Sequence, residues 1–203
     1  MVNPRNKSET LSETTKTFLR EVWIKEVFGR EKYVSTQAME KGTMVESDSL
    51  ALVQEVLGET HFKNNRQIEN EFVIGTPDVL DDLIDIKSSW DLWTFAEVDG
   101  DKAFKDYYHQ VLGYAWILGK TSARICYCLV NTPEDIIQHE LYRLTWKMSE
   151  QEAIERYRKN YEFDDIPAKN RVKCFRFAID PDDIEKLKER VVAARKYLSE
   201  MSL

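Results

Sequence analysis

Several things are scarce or missing in this chain, and each absence narrows what it can be. Among 203 residues there are three cysteines and three histidines. Cys126, Cys128 and Cys174 are odd in number, which argues against a disulfide framework. No C-x-x-C pair and no histidine cluster is present, so a thiolate or imidazole metal centre has little to be built from. Cys126 and Cys128 alternate within the apolar stretch 125–130, which predicts two buried free thiols on one face of a strand. No apolar run approaches the roughly 18 residues of a membrane span. The first ten residues lack the apolar core of a signal peptide, so the expectation is a cytosolic protein with no membrane partner. Repeats, low-complexity stretches, a Walker A motif and a G-x-G-x-x-G loop are all missing.

An excess of positive charge is also lacking. Twenty-nine Lys and Arg stand against 36 Asp and Glu, a net charge of −7. By itself this weighs against a nucleic-acid partner, because such affinity rests on neutralising phosphates. Net charge averages over surfaces, however, and cations bound by clustered carboxylates invert the local field. Basic residues gather locally: Lys63 with Arg66, Lys102 with Lys105, and the segments 156–159 and 169–176. They permit contact with a polyanion without demanding it.

Hydrophobic residues make up 42% of the chain, with five Trp, nine Tyr and nine Phe, enough for a sizeable core. The expected organisation is a disordered N-terminus over residues 1–10 and one domain over 11–203. Ser12 can cap a helix running to about Phe28. A second helical stretch covers about 36–57 and is interrupted at Gly42. Residues 71–74, 78–80 and 83–88 read as a meander of short antiparallel strands with turns at Gly75-Thr76-Pro77 and Asp81-Asp82. A largely buried helix runs from Asp99 or Asp101 to Gly119. There follow a central-type strand over 124–130, a helix from Pro133 to about Trp146, and a helix after a Ser149/Glu152 capping box. An edge strand over 171–179 and a last helix from Asp180-Pro181 complete the chain. The fold class is α/β, a central mixed β-sheet flanked by α-helices.

The chemistry concentrates in residues 75–87. In Asp85-Ile86-Lys87, residues two apart on a strand share a face, so Asp85 and Lys87 point one way and Ile86 enters the core on the other. Asp78, across a short turn, can reach the Asp85 face. Two converging carboxylates make a hard-oxygen site suited to Mg²⁺ or Mn²⁺. A lysine beside them can stabilise a phosphoryl transition state or help orient and deprotonate a water. An isolated D-x-K would read as a surface hairpin with an ion pair; the sequence around this one points further.

Pro77-Asp78, a spacer and Asp85-Ile86-Lys87 resemble the signature of the PD-(D/E)XK nuclease superfamily. Lys41-Gly42-Thr43-Met44-Val45-Glu46 resembles the helix that supplies its first acidic residue. Gln110-Val111-Leu112-Gly113-Tyr114 matches the Q-x-x-x-Y motif of the RecB-like branch, to which lambda exonuclease and the YqaJ-type viral recombination nucleases are related. The resemblance spans about residues 36–133.

It implies a restriction-endonuclease-like core and a metal-dependent deoxyribonuclease. Glu46, Asp78 and Asp85 would be carboxylate ligands, with the Ile86 carbonyl completing the shell, and Lys87 the catalytic lysine. Gln110 and Tyr114, four apart on one helix face, would line the site and support DNA. Ser88 and Ser89 could donate to a phosphate. The implied substrate is the end of linear duplex DNA, in phage-type recombination or repair within a bacterial or phage-infected cell. A homo-oligomer and a single-strand-annealing or recombination partner would suit that setting. An endonuclease of restriction or nicking type with the same residues, and an inactive DNA-binding module, are the alternatives. The iron–sulfur subgroup needs four cysteines and is not expected here, and at this length a stand-alone nuclease without a fused helicase is the expectation.

For the satellites the ordinary readings are solvent exposure for Glu46, core packing for Tyr114 and turn formation for Asp81 and Asp82, with Asp82 near the metal as the alternative. His109 is expected to point away from the site. Trp90 and Trp93 read as packing or lid residues that could also stack on unpaired bases.

Overall fold

Side-chain caps begin most of the helices where the sequence predicts them. In a computed structural model, which describes residues 9–202, Ser12 accepts from the Thr15 amide and opens α1 (Glu13–Phe28), which stops at Gly29 with φ 62°. Residues 1–8 of the expected disordered tail lie outside the described residues. Leu11 is already buried beside Leu19 and Ala194. Thr36 caps α2 (Gln37–Met44). The break between α2 and α3 (Glu46–Leu57) falls at Val45, not at Gly42, which stays inside α2. Glu46 is therefore the first residue of α3, where the helix dipole favours a carboxylate.

The expected meander is corrected. The Asn70 side chain accepts from the Phe72 and Val73 amides and pulls 70–73 into a tight turn. What pairs is a two-residue hairpin, β1 (Ile68–Glu69) with β2 (Ile74–Gly75). Residues 78–80 touch the next strand through a single Val79–Ile84 bridge. That strand, β3 (Ile84–Ser88), lies parallel to β4 (Ser122–Cys128), and β4 lies antiparallel to β5 (Val172–Ala178). The main sheet has the order β3-β4-β5, so it is mixed and β4 is central, as expected.

A parallel pair needs a crossover. Between β3 and β4 run a short helix that the sequence pattern does not predict, α4 (Leu92–Ala96), and the long α5 (Gly100–Leu118). An Asp91/Thr94 capping box opens the first, and Asp99 caps the second. After β4 come α6 (Glu134–Tyr142), shorter than expected, and α7 (Glu150–Tyr157), capped by Ser149. Asp180 caps α8 (Pro181–Ser199), which follows β5.

The sheet separates two cores. On one face Ile125, Tyr127 and Leu129 pack with Val111, Leu112 and Ala115 of α5. On the other, Ile84, Cys126 and Cys128 pack with Leu50, Leu52 and Val53 of α3. Each such side chain, removed from water, contributes about 1.5–3 kcal/mol. The period-2 alternation of β3 assigns Ile84 and Ile86 to the α3 side and Asp85 and Lys87 to the α5 side.

The cysteines depart from the sequence-based expectation. Cys126 and Cys174 are directly opposed on β4 and β5 and form a disulfide, while Cys128 is a buried free thiol that burial pushes up to about 12. Forty-eight positions separate the bonded pair, and only the β4–β5 register brings them together. Among the described residues no helix is long and apolar enough to cross a membrane.

Candidate active site

A cavity of about 600 Å³ opens where the C-terminal end of β3 meets α2, the start of α3 and the middle of α5. Glu46, Asp78, Asp85, Ile86, Lys87 and Gln110 line it. So do Ser88 and Ser89. Tyr114 stands behind Gln110 and is not part of the wall.

Asp85 is 2% exposed. Its Oδ1 accepts from Gln110 Nε2 at 3.1 Å, and its Oδ2 lies 2.8 Å from Lys87 Nζ. The geometry at Oδ2 does not amount to a well-directed hydrogen bond, so this oxygen is satisfied by charge alone. Burial raises the Asp85 carboxyl above its usual range, against the pull of Lys87. Burial works against the Lys87 ammonium, but Asp85, with Tyr107 and Asp78 adding to it, holds the group above the ordinary lysine value. Lys87 Nζ donates to Gln110 Oε1 at 3.2 Å and sits 4.4 Å over the Tyr107 ring. Asp85, Lys87 and Gln110 thus close a triangle.

Asp78 enters from the loop before β3. Its Oδ2 accepts from the Ile86 amide at 2.6 Å. Burial, and then the neighbouring Asp85 and Glu46 carboxylates, raise it to about 6, with the Ile86 amide opposing. The loop is held from behind by Asn64, whose amide nitrogen donates to the Asp78 carbonyl and whose side chain donates to the Pro77 carbonyl. On the facing wall Glu46 Oε2 accepts from Lys63 Nζ at 2.8 Å. The Ser88 hydroxyl is engaged with the Ser49 hydroxyl at 2.8 Å, and the Ser89 amide donates to the Cys128 carbonyl. Gln110 Nε2 also donates to the Tyr114 hydroxyl at 3.1 Å.

The donor set suits a hard divalent cation. Two buried carboxyls raised by burial, with a third carboxylate across the cavity, leave a surplus of negative charge that a cation would relieve. Among the described residues no three such groups stand close enough to enclose an ion as they are; Lys63 holds Glu46 and Lys87 stands against Asp85.

Four further residues carry no signal strong enough to single them out from sequence. Lys41 is fully shielded behind the cavity wall, and Asn64 braces the Asp78 loop. Tyr107 and Tyr127 lie beside Lys87, one on α5 and one on β4. For Tyr107 a weak signal exists, since 107, 110 and 114 share one helical face; Lys41 opens the 41–46 segment that the resemblance marks, but nothing there singles out the lysine, and for Asn64 there is no signal. Asp82 pairs with Arg124 and Arg176, away from the cavity, in the turn that closes on β3. His109 lines a separate hollow with Asp183 and Arg190, so its expected orientation holds. The Trp90 ring packs edge-on against Tyr161, while Trp93 is 60% exposed.

No protein-family model matches the chain, and no curated protein matches it in sequence. Solved structures do. A phage-related exonuclease from Haemophilus somnus 129PT superposes with a TM-score of 0.79 at 27% identity, over 99% of this chain and 92% of that one. The alkaline exonuclease LHK-Exo from Laribacter hongkongensis gives 0.64 at 17% identity, over 94% and 83%. Its complex with dAMP gives 0.61 at 18% identity, over 93% and 81%. The likeness extends over nearly the whole chain and includes the sheet that carries the Pro77-Asp78 and Asp85-Ile86-Lys87 elements. In its fold the chain is similar to the phage-related exonuclease, and that fold together with those motifs is consistent with a PD-(D/E)XK nuclease.

Proposed function

We propose that this protein is a DNA exonuclease that hydrolyses phosphodiester bonds at the ends of linear duplex DNA, using Mg²⁺ or Mn²⁺, in phage-type recombination or repair. The observation that carries it is the Asp78–Asp85–Lys87 group at the C-terminal end of β3, in a cavity of about 600 Å³. The likeness to a phage-related exonuclease over 99% of the chain supports the same reading.

Asp78, Asp85, the Ile86 carbonyl and Glu46 are the groups that would hold the cation. When bound, it supplies Lewis acidity and neutralises negative charge on the scissile phosphate. The chain's own residues do the rest. Lys87, kept charged by Asp85, is placed to donate to a non-bridging phosphate oxygen as charge builds there. Gln110 bonds Asp85 and Lys87 at once and fixes their separation. Tyr114 holds Gln110 from the other side, and the Ile86 amide orients Asp78. Ser88 and Ser89 line the wall along which a strand would lie.

The test is digestion of linear duplex beside covalently closed circles, with Mg²⁺ or Mn²⁺ and with excess EDTA. The expected result is loss of the linear substrate, survival of the circles and no activity with chelator. Discrete internal cuts would support the endonuclease alternative. Full activity in EDTA would remove the metal mechanism.

A further inference from the structure

Lys41, on α2, is 0% exposed, the lowest of any lysine or arginine among the described residues. Its Nζ donates to the carbonyl oxygens of Ser89 and Trp90, each at 2.9 Å. The Phe163 and Trp90 rings lie with their centroids 5.2 Å and 6.0 Å from it. No carboxylate forms an ion pair with it among the described residues; Asp91 acts on it only over a longer distance. Burial pulls the ammonium down to about 8, against Asp91.

An ammonium taken out of water without a counter-ion is costly, and two carbonyls and two aromatic faces offset that cost only in part. A methionine would fill much of the same volume without the desolvation penalty, so packing alone does not account for a lysine at this position. Its location does. α2 gives Met39, Gly42 and Thr43 to one wall of the active-site cavity. The chain leaving β3 gives Ser88, Ser89 and Trp90 to another. Lys41 bonds the second wall to the first from behind, at two carbonyls that lie just past the last residue of β3. The same helix leads through Val45 to Glu46.

We infer that Lys41 is a positioning residue of the nucleolytic site: by bonding the Ser89 and Trp90 carbonyls it fixes the 88–90 wall against α2, so that the substrate strand lies against Lys87 and the carboxylates. The inference rests on the nuclease reading above. Lys41 makes no bond to Glu46, Asp78 or Asp85, so its effect falls on how the strand is held and not on how the cation is held.

The experiment compares the wild-type protein with Lys41→Met at a temperature where circular dichroism shows both folded. Steady-state cleavage of linear duplex, duplex binding in Ca²⁺ and calorimetric Mn²⁺ affinity are measured together. The expected result is a KM raised about tenfold and duplex binding weakened by a similar factor, with kcat within about threefold and Mn²⁺ affinity unchanged. Wild-type KM and kcat in a folded variant would overturn the inference and leave Lys41 as a structural residue. Loss of Mn²⁺ affinity together with kcat would overturn it too, because Lys41 would then act on the carboxylates. Should Lys41→Met not fold, Phe163→Leu removes one aromatic face from the ammonium and leaves both carbonyl bonds in place. A two- to fourfold rise in KM is then expected, and an unchanged KM in a folded variant overturns the inference. If the wild-type protein itself neither binds nor cleaves duplex DNA, the nuclease reading fails, and this inference falls with it.

Discussion

Gln110 Nε2 donates to Asp85 Oδ1 across 3.1 Å, joining the middle of α5 to β3. The same side chain accepts from Lys87 and donates to Tyr114, so one amide engages three partners. Gln110→Ala leaves Asp85 and Lys87 without their common brace. A hydrogen bond to a charged group is worth roughly 1.5–3 kcal/mol, so cleavage should slow by about one to two orders of magnitude. The melting temperature should change little, because Gln110 lines a cavity and fills no core space. A Gln110→Ala protein that melts much earlier and cleaves at the wild-type rate would make this helix face purely structural.

Tyr114 closes on Gly75 from above. A Cβ at position 75 would run into the Tyr114 ring itself, not into the far end of a flexible chain. Gly75→Ala must therefore push the ring off its seat, at a cost of about 1–3 kcal/mol. Because the Tyr114 hydroxyl accepts from Gln110, the displacement carries into the site. Thermal melting should show the loss of stability and a cleavage assay a parallel loss of rate. Tyr114→Phe, which keeps the ring and removes only the hydroxyl, should leave stability nearly intact and lower the rate mildly.

Asp78 makes stability depend on pH. Its carboxyl is raised from 3.8 to about 6 in the folded protein, so the folded state binds the proton more tightly than the unfolded one. That contribution is fully present below about pH 4 and is lost as pH rises through about 6. At neutral pH without metal, the ionised carboxylate is then a net cost of up to about 3 kcal/mol. Asp78→Asn should raise the metal-free melting temperature at pH 7 and flatten its fall between pH 4 and 6. Adding Mn²⁺ should stabilise the wild-type protein and do little for the variant. A variant that melts below wild type in EDTA would contradict burial as the origin of the shift.

Lys87 should separate binding from chemistry. In the proposed mechanism its ammonium acts on phosphate or water, whereas Asp78 and Asp85 would hold the cation. Lys87→Ala should abolish cleavage and retain metal affinity in a calorimetric titration. Ca²⁺, with looser geometry and weaker Lewis acidity, should support duplex binding by the wild-type protein with little cleavage. Equal loss of metal affinity in Lys87→Ala would mean that the lysine mainly holds Asp85 in place.

What the sequence by itself determined was local. Capping residues such as Ser12, Thr36, Asp99 and Asp180 marked helix starts because a side-chain oxygen three or so residues from an orphan amide acts at short range. The alternation in Ile84-Asp85-Ile86-Lys87 placed two charged groups on one face because the strand period is two. The spacing of Gln110 and Tyr114 placed them one above the other for the corresponding helical reason. Tertiary structure decided everything that depends on partner and register. The Asn70 turn, not the apolar run 72–74, set the limits of β2. The β4–β5 register, invisible across 48 positions, brought Cys126 to Cys174. The α5 crossover delivered Gln110 between Asp85 and Lys87, and the packing of α2 behind β3 buried Lys41 against two carbonyls. Propensity and period reach over a few residues; which surfaces meet is settled by burial of the whole core, and in this chain the candidate site is assembled where four such surfaces converge.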